Sequence, residues 1–372
     1  MPTRYQPIPI WIAYGGQVRD PAIITAFQRP SLARQIVCMN LTMILTEDGH
    51  FDLSAAQMDQ QAVLAVSAVN LRELVAPGQY DEFFRELALR IPPLTDESST
   101  QAFTVWPNLQ LLSFEHRAIT PYDYIPMRGI VWTMSAAPNL QHLVLVSPIV
   151  SVEPTILPTG IRALRLQPSD KLASNILQNN VAATNLRSLT LDARYMPIPN
   201  HEHPDHQPMV DVLIASASSL TNLREFHVRG FGPARILADA VAKIVAIPSL
   251  RTISLRILGS GDVRREAGLL SRVLDAATLG LRTLGLVCMT SPTERRGPLP
   301  SFVLDVLAKA KLPCLRKIIY VARGTDYNSL VPAAPLETRS NVKKLKYACT
   351  QRRVKLEVIE MSGYAWPEHI LS

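Results

Sequence analysis

A short motif recurs along the chain and constrains its fold more than any other feature. The motif reads apolar, basic or Gln, any, apolar, any, apolar, and its copies are NLRELVA, NLQLLSF, NLQHLVL, GIRALRL, NLRSLTL, NLREFHV, SLRTISL, LRTLGL, CLRKIIY and NVKKLKY. Their first apolar residues stand at 71, 109, 140, 161, 186, 223, 250, 281, 315 and 342, and a degenerate earlier copy is expected within 33–41. So many copies in one chain predict a repeat architecture with uneven spacing between its units.

The positions of the motif have a structural meaning. Positions 1, 4 and 6 are apolar, and the alternation of positions 4 and 6 is typical of a strand with one buried face. Segments with helical periodicity lie between the copies, at 57–69, 81–91, 171–183, 209–218, 234–246, 262–277 and 300–311. The sequence therefore predicts an α/β solenoid with a curved parallel sheet inside, helices outside, and about ten or eleven irregular repeats.

These motifs carry a family resemblance. The LxxLxL pattern with an intervening helix resembles leucine-rich repeats, and the form P-x-L-R-x-L-x-L is similar to the repeat regions of fungal F-box/leucine-rich-repeat proteins. The resemblance implies an N-terminal cap or extension at 1–31, a solenoid at 32–360 and a C-terminal tail at 361–372. Repeats of this kind usually carry Asn or Cys after the strand motif, where this chain has Ala193, Arg229 and Ala322.

The resemblance also implies a function. In F-box proteins the F-box docks to the Skp adaptor of a ubiquitin ligase, and the concave sheet of the repeats grips the protein to be ubiquitylated. The Leu-Pro opening of an F-box is not recognisable in residues 1–31, so the Skp adaptor is expected as a partner only if an F-box is supplied elsewhere. Two alternatives stay open: a stand-alone scaffold or inhibitor-like module unrelated to ubiquitin, and a sensor that holds a phosphorylated ligand.

Most candidate binding residues occupy motif position 2. Down the copies this position holds Arg72, Gln110, Gln141, Arg162, Arg187, Arg224, Arg251, Arg282, Arg316 and Lys343. Stacked strands would place these side chains about 4.8 Å apart, as a ladder along one edge of the concave sheet. These side chains have two possible roles. They attract an acidic ligand, or their aliphatic parts cover apolar residues at the start of the strand while their charged groups stay in water.

Outward strand positions complete the predicted partner surface. They include His142, Ser188, Glu225, His227, Thr252, Ser254, Thr283, Lys317, Lys344 and Lys346. Near the C-terminus the sequence has a basic cluster, which is either a solvated capping face or a contact for an acidic partner or nucleic acid. Its members are Lys343, Lys344, Lys346, Arg352, Arg353 and Lys355. The residues predicted to bind a partner on the concave face are Arg162, Arg187, Arg224, His227, Arg251, Ser254, Arg282, Arg316, Lys343 and Lys346.

The sequence favours a binding protein over an enzyme. It contains no GxSxG, no P-loop and no glycine fingerprint after a strand, so no catalytic residue and no cofactor are predicted. The run HEHPDH at 201–206 does not match HExxH, and Pro204 prevents a helix through it. An exposed polar loop is therefore favoured there over a zinc site.

Composition limits the compartment and the partners. Four scattered cysteines without a CxxC pair favour reduced thiols in the cytoplasm or nucleus. No basic start followed by a long apolar run and no stretch of about 18 apolar residues is found, so neither a signal peptide nor a membrane span is expected. The net charge of +7 permits an acidic protein partner. Nucleic acid is disfavoured, because aromatic side chains are not interleaved with the basic ones.

Overall fold

The structure is a computed structural model. It describes residues 8–13, 33–42, 62–77, 104–115, 133–134, 136–146, 159–166, 177–178, 180–192, 207–229, 235–258, 263–277, 279–289, 299–324 and 340–362. The chain divides into two compact units, Met1–Asn185 and Leu186–Ser372. The helix predicted at 81–91 and the HEHPDH run lie outside the described residues.

The first unit is built on parallel strands that follow one another in sequence order. They are β1 (Ile8–Ala13), β2 (Ile36–Thr42), β3 (Glu73–Pro77), β4 (Leu111–Glu115), β5 (His142–Val146) and β6 (Ala163–Leu166). Each strand pairs in parallel with the next. The described helical segments of this unit that reach six residues are 62–67 and α1 (Asn180–Asn185).

The second unit alternates parallel strands with helices. Its strands are β7 (Ser188–Asp192), β8 (Glu225–Arg229), β9 (Thr252–Leu258), β10 (Thr283–Met289), β11 (Lys317–Gly324) and β12 (Lys355–Ser362). Its described helices are α2 (Gln207–Ser216), α3 (Arg235–Val245), α4 (Val263–Ala276), α5 (Ser301–Lys309) and α6 (Ser340–Gln351). Each strand again pairs in parallel with the next, and each helix packs against its successor. The predicted α/β class with a parallel sheet is confirmed.

The apolar positions of the motif form the core. In β7 to β11 positions 4 and 6 are at most 4% exposed; they are Leu189, Leu191, Phe226, Val228, Ile253, Leu255, Leu284, Leu286, Ile318 and Tyr320. Removing such a side chain from water stabilises the fold by about 1.5–3 kcal/mol for each aliphatic residue. Position 1, two residues before the strand, is buried as well in the copies that contain β7 to β10; these residues are Leu186, Leu223, Leu250 and Leu281. The main core therefore lies on the face that the alternation of the motif predicts, and a smaller buried cluster of Val287, Ile319 and Val321 lies on the opposite face of β10 and β11.

Backbone hydrogen bonds align the motif from strand to strand. The carbonyl of position 2 accepts two N–H groups from the next copy, those of its positions 2 and 3. In the first unit the Gln141 carbonyl accepts from Arg162 at 2.7 Å and Ala163 at 3.0 Å. In the second unit the Arg251 carbonyl accepts from Arg282 at 2.8 Å and Thr283 at 3.0 Å. Equivalent side chains are thus brought side by side despite the uneven intervals in sequence.

The tenth motif copy, NVKKLKY, is a wrong prediction. Residues 341–347 lie within α6, and the strand that pairs with β11 is β12, which begins at Lys355. Apolar residues three apart suit a motif strand and a helix equally, so Val342 and Leu345 do not discriminate between them. The later residues decide, because Tyr347 is 69% exposed and Cys349 is 4% exposed, which is helical periodicity. The degenerate copy within 33–41 does form a strand, β2.

Helix α6 ends in a Schellman arrangement with an unusual residue. The Val354 N–H donates to the Cys349 carbonyl at 2.9 Å, and the Arg353 N–H donates to the Thr350 carbonyl at 3.1 Å. Arg353 has a φ of 56°, the left-handed conformation that this motif normally gives to glycine. The turn directs the chain from α6 into β12 at the cost of backbone strain in Arg353.

Candidate functional site

A column of arginines stands at the start of successive strands in the second unit. We use the name arginine column for Arg187, Arg224, Arg251, Arg282 and Arg316, which directly precede β7 to β11. Four of them are exposed and Arg251 is half-buried. Because their backbones are joined by the position 2 hydrogen bonds, their side chains emerge about 4.8 Å apart along the same edge of the sheet.

Three guanidinium groups of the arginine column have no counter-charge among the described residues. Those of Arg187, Arg282 and Arg316 make no hydrogen bond or ion pair with any residue in the described ranges. Arg224 differs, because its charge acts on the neighbouring carboxylate of Glu225. An edge of this kind raises the local concentration of acidic ligands.

The next row of side chains, motif position 3, is nearly neutral in this unit. It holds Ser188, Glu225, Thr252, Thr283 and Lys317, all partly exposed. The Lys317 ammonium lies 3.0 Å from a carboxylate oxygen of Glu357 on β12, so most of its charge is compensated. The positive character of this edge therefore comes from the arginine column.

In the first unit position 2 is less basic. It holds Arg72, Gln110, Gln141 and Arg162, of which only the first and last are charged. Burial lowers the pKa of His142, and the charge of Arg162 lowers it further, against a smaller raising effect of Glu73. Burial is thus the main reason that this imidazole favours its neutral form, and the nearby charge of Arg162 acts in the same direction.

Asparagines before the motif form a ladder that the sequence analysis missed. In the first unit, side-chain Nδ2 atoms donate to a backbone carbonyl of the preceding copy: Asn70 to Arg34 at 2.7 Å, Asn139 to Pro107 at 2.8 Å, and Asn185 to Thr159 at 2.9 Å. These bonds satisfy carbonyls in the turns that lead into the strands. The recurrence of Asn directly before position 1 was the available signal. The ladder occupies the start of the strand motif, whereas the family pattern has its Asn or Cys after it.

Arg251 takes over this structural task where the asparagine is missing. The residue before position 1 of the β10 copy is Gly280, which has no side chain to donate. The Nη1 atom of Arg251 donates instead to the carbonyls of Pro248 at 2.9 Å and Leu250 at 3.0 Å. A Cβ atom at position 280 would overlap this Nη1, so glycine leaves the room that the guanidinium needs. Arg251 is therefore a structural member of the arginine column.

Motif position 5 is buried in this unit. His227 is 4% exposed and Ser254 is 0% exposed. The sequence pattern predicts both on an outward surface that contacts the partner, so this prediction is wrong for their side chains. Thr190 and Ile319, at the same position of β7 and β11, are buried as well. Among the described side chains of this face, those of positions 2 and 3 remain accessible.

The buried polar residues of this face are only partly hydrogen-bonded. His227 Nε2 lies 4.0 Å from a carboxylate oxygen of Glu225, which is too long for a hydrogen bond, and the interaction with this imidazole is the main cause of the lowered pKa of Glu225. His227 Nδ1 and Ser254 Oγ have no partner within the described part of the chain. The serine hydroxyl is thus not hydrogen-bonded to the imidazole, as it would be in an activated nucleophile.

The two predicted lysines occupy another element. Lys343 and Lys346 are exposed on α6 and not on a strand, because the motif copy to which they were assigned is helical. They belong to the basic cluster that continues through Arg352 and Arg353 to Lys355, the first residue of β12.

Other site types receive no support from the described residues. No group of three or more His, Cys, Asp or Glu among them could hold a metal ion. No helix in the described ranges has the length and apolar character needed to cross a membrane. Cys38, Cys314 and Cys349 are free thiols.

Comparison with protein-family models and with curated proteins finds no match to this chain.

Proposed function

We propose that the chain is a leucine-rich-repeat solenoid of about ten or eleven irregular repeats, with the parallel sheet inside and the helices outside. Two observations support this architecture. The motif positions align from strand to strand through the position 2 hydrogen bonds, and in the second unit a helix separates each strand from the next.

The proposed function is recognition of an acidic protein partner along the arginine column, as the substrate-recognition part of an F-box-type receptor. The supporting observation is the set of exposed guanidinium groups at Arg187, Arg282 and Arg316, which lack counter-charges among the described residues. Charge of this kind mainly increases the rate of association and the selectivity for acidic surfaces. The accessible position 3 side chains would supply hydrogen bonds beside it.

A triple variant tests the proposal. Arg187, Arg282 and Arg316 are changed together to Gln in the tagged full chain, which is then purified from its native cell type with its partners and analysed by mass spectrometry. We expect the partners recovered with the parent chain to be lost or strongly depleted. Their recovery should also fall as salt is raised, because exposed charge pairs are screened beyond about 8–10 Å at physiological ionic strength.

A matched control removes the same charge from other parts of the second unit. Lys243, Lys309 and Lys311 are exposed and lie outside the arginine column. Their joint change to Gln should leave the recovered partners unchanged. If both triple variants recover the same partners as the parent chain, the arginine column does not bind them and the proposal is wrong.

The identity of the partners separates the F-box hypothesis from its alternatives. Recovery of the Skp adaptor and a cullin with the parent chain would support the ligase role. Recovery of other proteins without them would support a stand-alone recognition module. Saturable thermal stabilisation by inositol hexakisphosphate, lost in the triple arginine variant, would instead support the sensor of a phosphorylated ligand, which the same guanidinium groups could hold.

A further inference from the structure

A cavity of about 510 Å³ lies between α5 and α6, at the starts of β11 and β12. Its lining is mostly aliphatic, with Leu304 and Leu307 from α5, Leu312 and Leu315 from the turn before β11, and Leu345 from α6. The volume falls within the range of about 300–1,000 Å³ that is usual for small-molecule sites. No member of the arginine column lines this cavity, although Leu315 and Ile318, on either side of Arg316, do.

Hydrogen bonds from Arg352 join the two helices that border the cavity. Arg352 follows α6 and donates from Nη1 to the Leu307 carbonyl at 2.9 Å and from Nη2 to the Ala308 carbonyl at 2.8 Å. These carbonyls belong to the C-terminal turn of α5, where a positive charge is favoured. The two helices are thereby joined beside the cavity, which is therefore a preformed feature of the fold.

Charge is distributed unevenly around the opening. Lys344 and Arg352 line the cavity together with a single acid, Asp305. The exposed residues Lys343 and Lys346 add positive charge to the same helix. An apolar interior with a cationic rim suits a ligand that has an apolar body and an anionic head.

The length of the cavity favours a small molecule over a peptide helix. Helix α5 has 9 residues and is therefore about 14 Å long, so a docked peptide helix would be contacted over only about two and a half turns. An acyl chain is flexible and can bend to follow a groove of this length.

We propose that the cavity between α5 and α6 binds an amphipathic anion of the long-chain carboxylate class. The aliphatic chain lies among the leucines, and the carboxylate stays at the opening beside Lys344. The thiol of Cys349 also lines the cavity and is 4% exposed. Burial raises the pKa of this thiol, so it stays neutral and compatible with an aliphatic neighbour.

The test uses dodecanoate below its micelle concentration, with the intact chain and isothermal calorimetry. We expect saturable binding of one dodecanoate, and weaker binding of the uncharged dodecanol. Lys344→Gln should weaken dodecanoate binding about fivefold, the equivalent of one exposed ion pair of about 1 kcal/mol. The matched control Lys346→Gln removes a charge from the same helix outside the cavity lining and should have no effect.

Filling the cavity gives a second, independent readout. Ala348 is exposed and lines the cavity from α6, so Ala348→Trp should block binding while the circular dichroism spectrum stays that of the parent chain. Ala308→Trp, from the α5 side, replaces it if the first variant fails to fold. Bound dodecanoate should also slow the alkylation of Cys349 by iodoacetamide and leave the exposed Cys314 unaffected.

Three results would overturn the proposal. The first is the absence of saturable dodecanoate binding to the folded parent chain. The second is binding that persists unchanged in a folded tryptophan variant. The third is binding of an acidic amphipathic peptide, but not of dodecanoate, in a manner that Ala348→Trp abolishes, which would assign the cavity to a protein partner. None of these results bears on partner recovery through the arginine column.

Discussion

Two serines of the β9 copy are predicted to respond to truncation with opposite signs. Ser254 is 0% exposed and its hydroxyl has no hydrogen-bond partner among the described residues, whereas Ser249 donates from Oγ to the Leu223 carbonyl at 2.7 Å. An unpaired buried polar group costs about 1–3 kcal/mol, and a satisfied hydrogen bond contributes about 1 kcal/mol. Ser254→Ala should therefore raise the free energy of unfolding by about 1 kcal/mol, and Ser249→Ala should lower it by about the same amount.

Urea denaturation followed by circular dichroism measures both variants. The midpoint of the second unit should move to higher urea for Ser254→Ala and to lower urea for Ser249→Ala, with the m-value unchanged in each. A midpoint that falls for both variants would refute the reasoning. It would mean that the Ser254 hydroxyl has a partner, such as an ordered water that bridges it to a neighbouring polar group.

Three further predictions concern single residues. Arg353→Gly should stabilise the protein by about 0.5–1 kcal/mol. The left-handed conformation of Arg353 costs about 1–2 kcal/mol, and relief of this strain exceeds the extra entropy that glycine gives the unfolded chain. A higher melting temperature of the variant would confirm this, and a lower one would contradict it. Leu284→Ala should destabilise the fold by about 2–5 kcal/mol through the cavity it opens, and an unchanged urea midpoint would show that this position is not core. Burial, with the Glu73 carboxylate in contact, raises the pKa of Cys38 to about 11, so at pH 8.5 mass spectrometry should find the exposed Cys314 alkylated well before Cys38.

The pKa of Cys38 also fixes the direction of a pH effect on stability. Its folded pKa lies above the ordinary thiol pKa of 9.0, so the folded chain holds this proton more tightly than the unfolded chain. The resulting stabilisation is present below about pH 9 and is lost as the pH rises towards 11. Cys38→Ser should reduce this alkaline loss, as measured by thermal melts between pH 8 and pH 11. Equal losses in the parent chain and the variant would rule out Cys38 as their cause.

Much of the sheet could be predicted from the sequence, because strand alternation is a local property. Leu189 and Leu191, two residues apart, are both buried in β7, and the same spacing holds in the copies up to β11. The prediction failed at residues 341–347, where spacing alone could not distinguish a strand from a helix. The residue that decided the matter, Cys349, lies beyond the motif.

Part of the candidate site was also predictable. Arg187, Arg282 and Arg316 stand at equivalent places because motif position 2 is fixed relative to the strand. The sequence could not distinguish Arg251 from them, since its role depends on the absence of a side chain at Gly280 on the neighbouring copy. That contact joins residues 29 positions apart, and no local pattern records it.

The sequence by itself determined the repeating motif, the burial of motif positions 4 and 6, and the basic character of position 2. These follow from the period of two residues in a strand, which depends only on local backbone geometry. The tertiary structure alone decided that His227 and Ser254 are buried, that Arg251 binds its own turn, and that α5 and α6 enclose a cavity. The physical reason is that burial and hydrogen bonding at these places depend on neighbouring copies, whose approach is set by packing and not by the residues themselves.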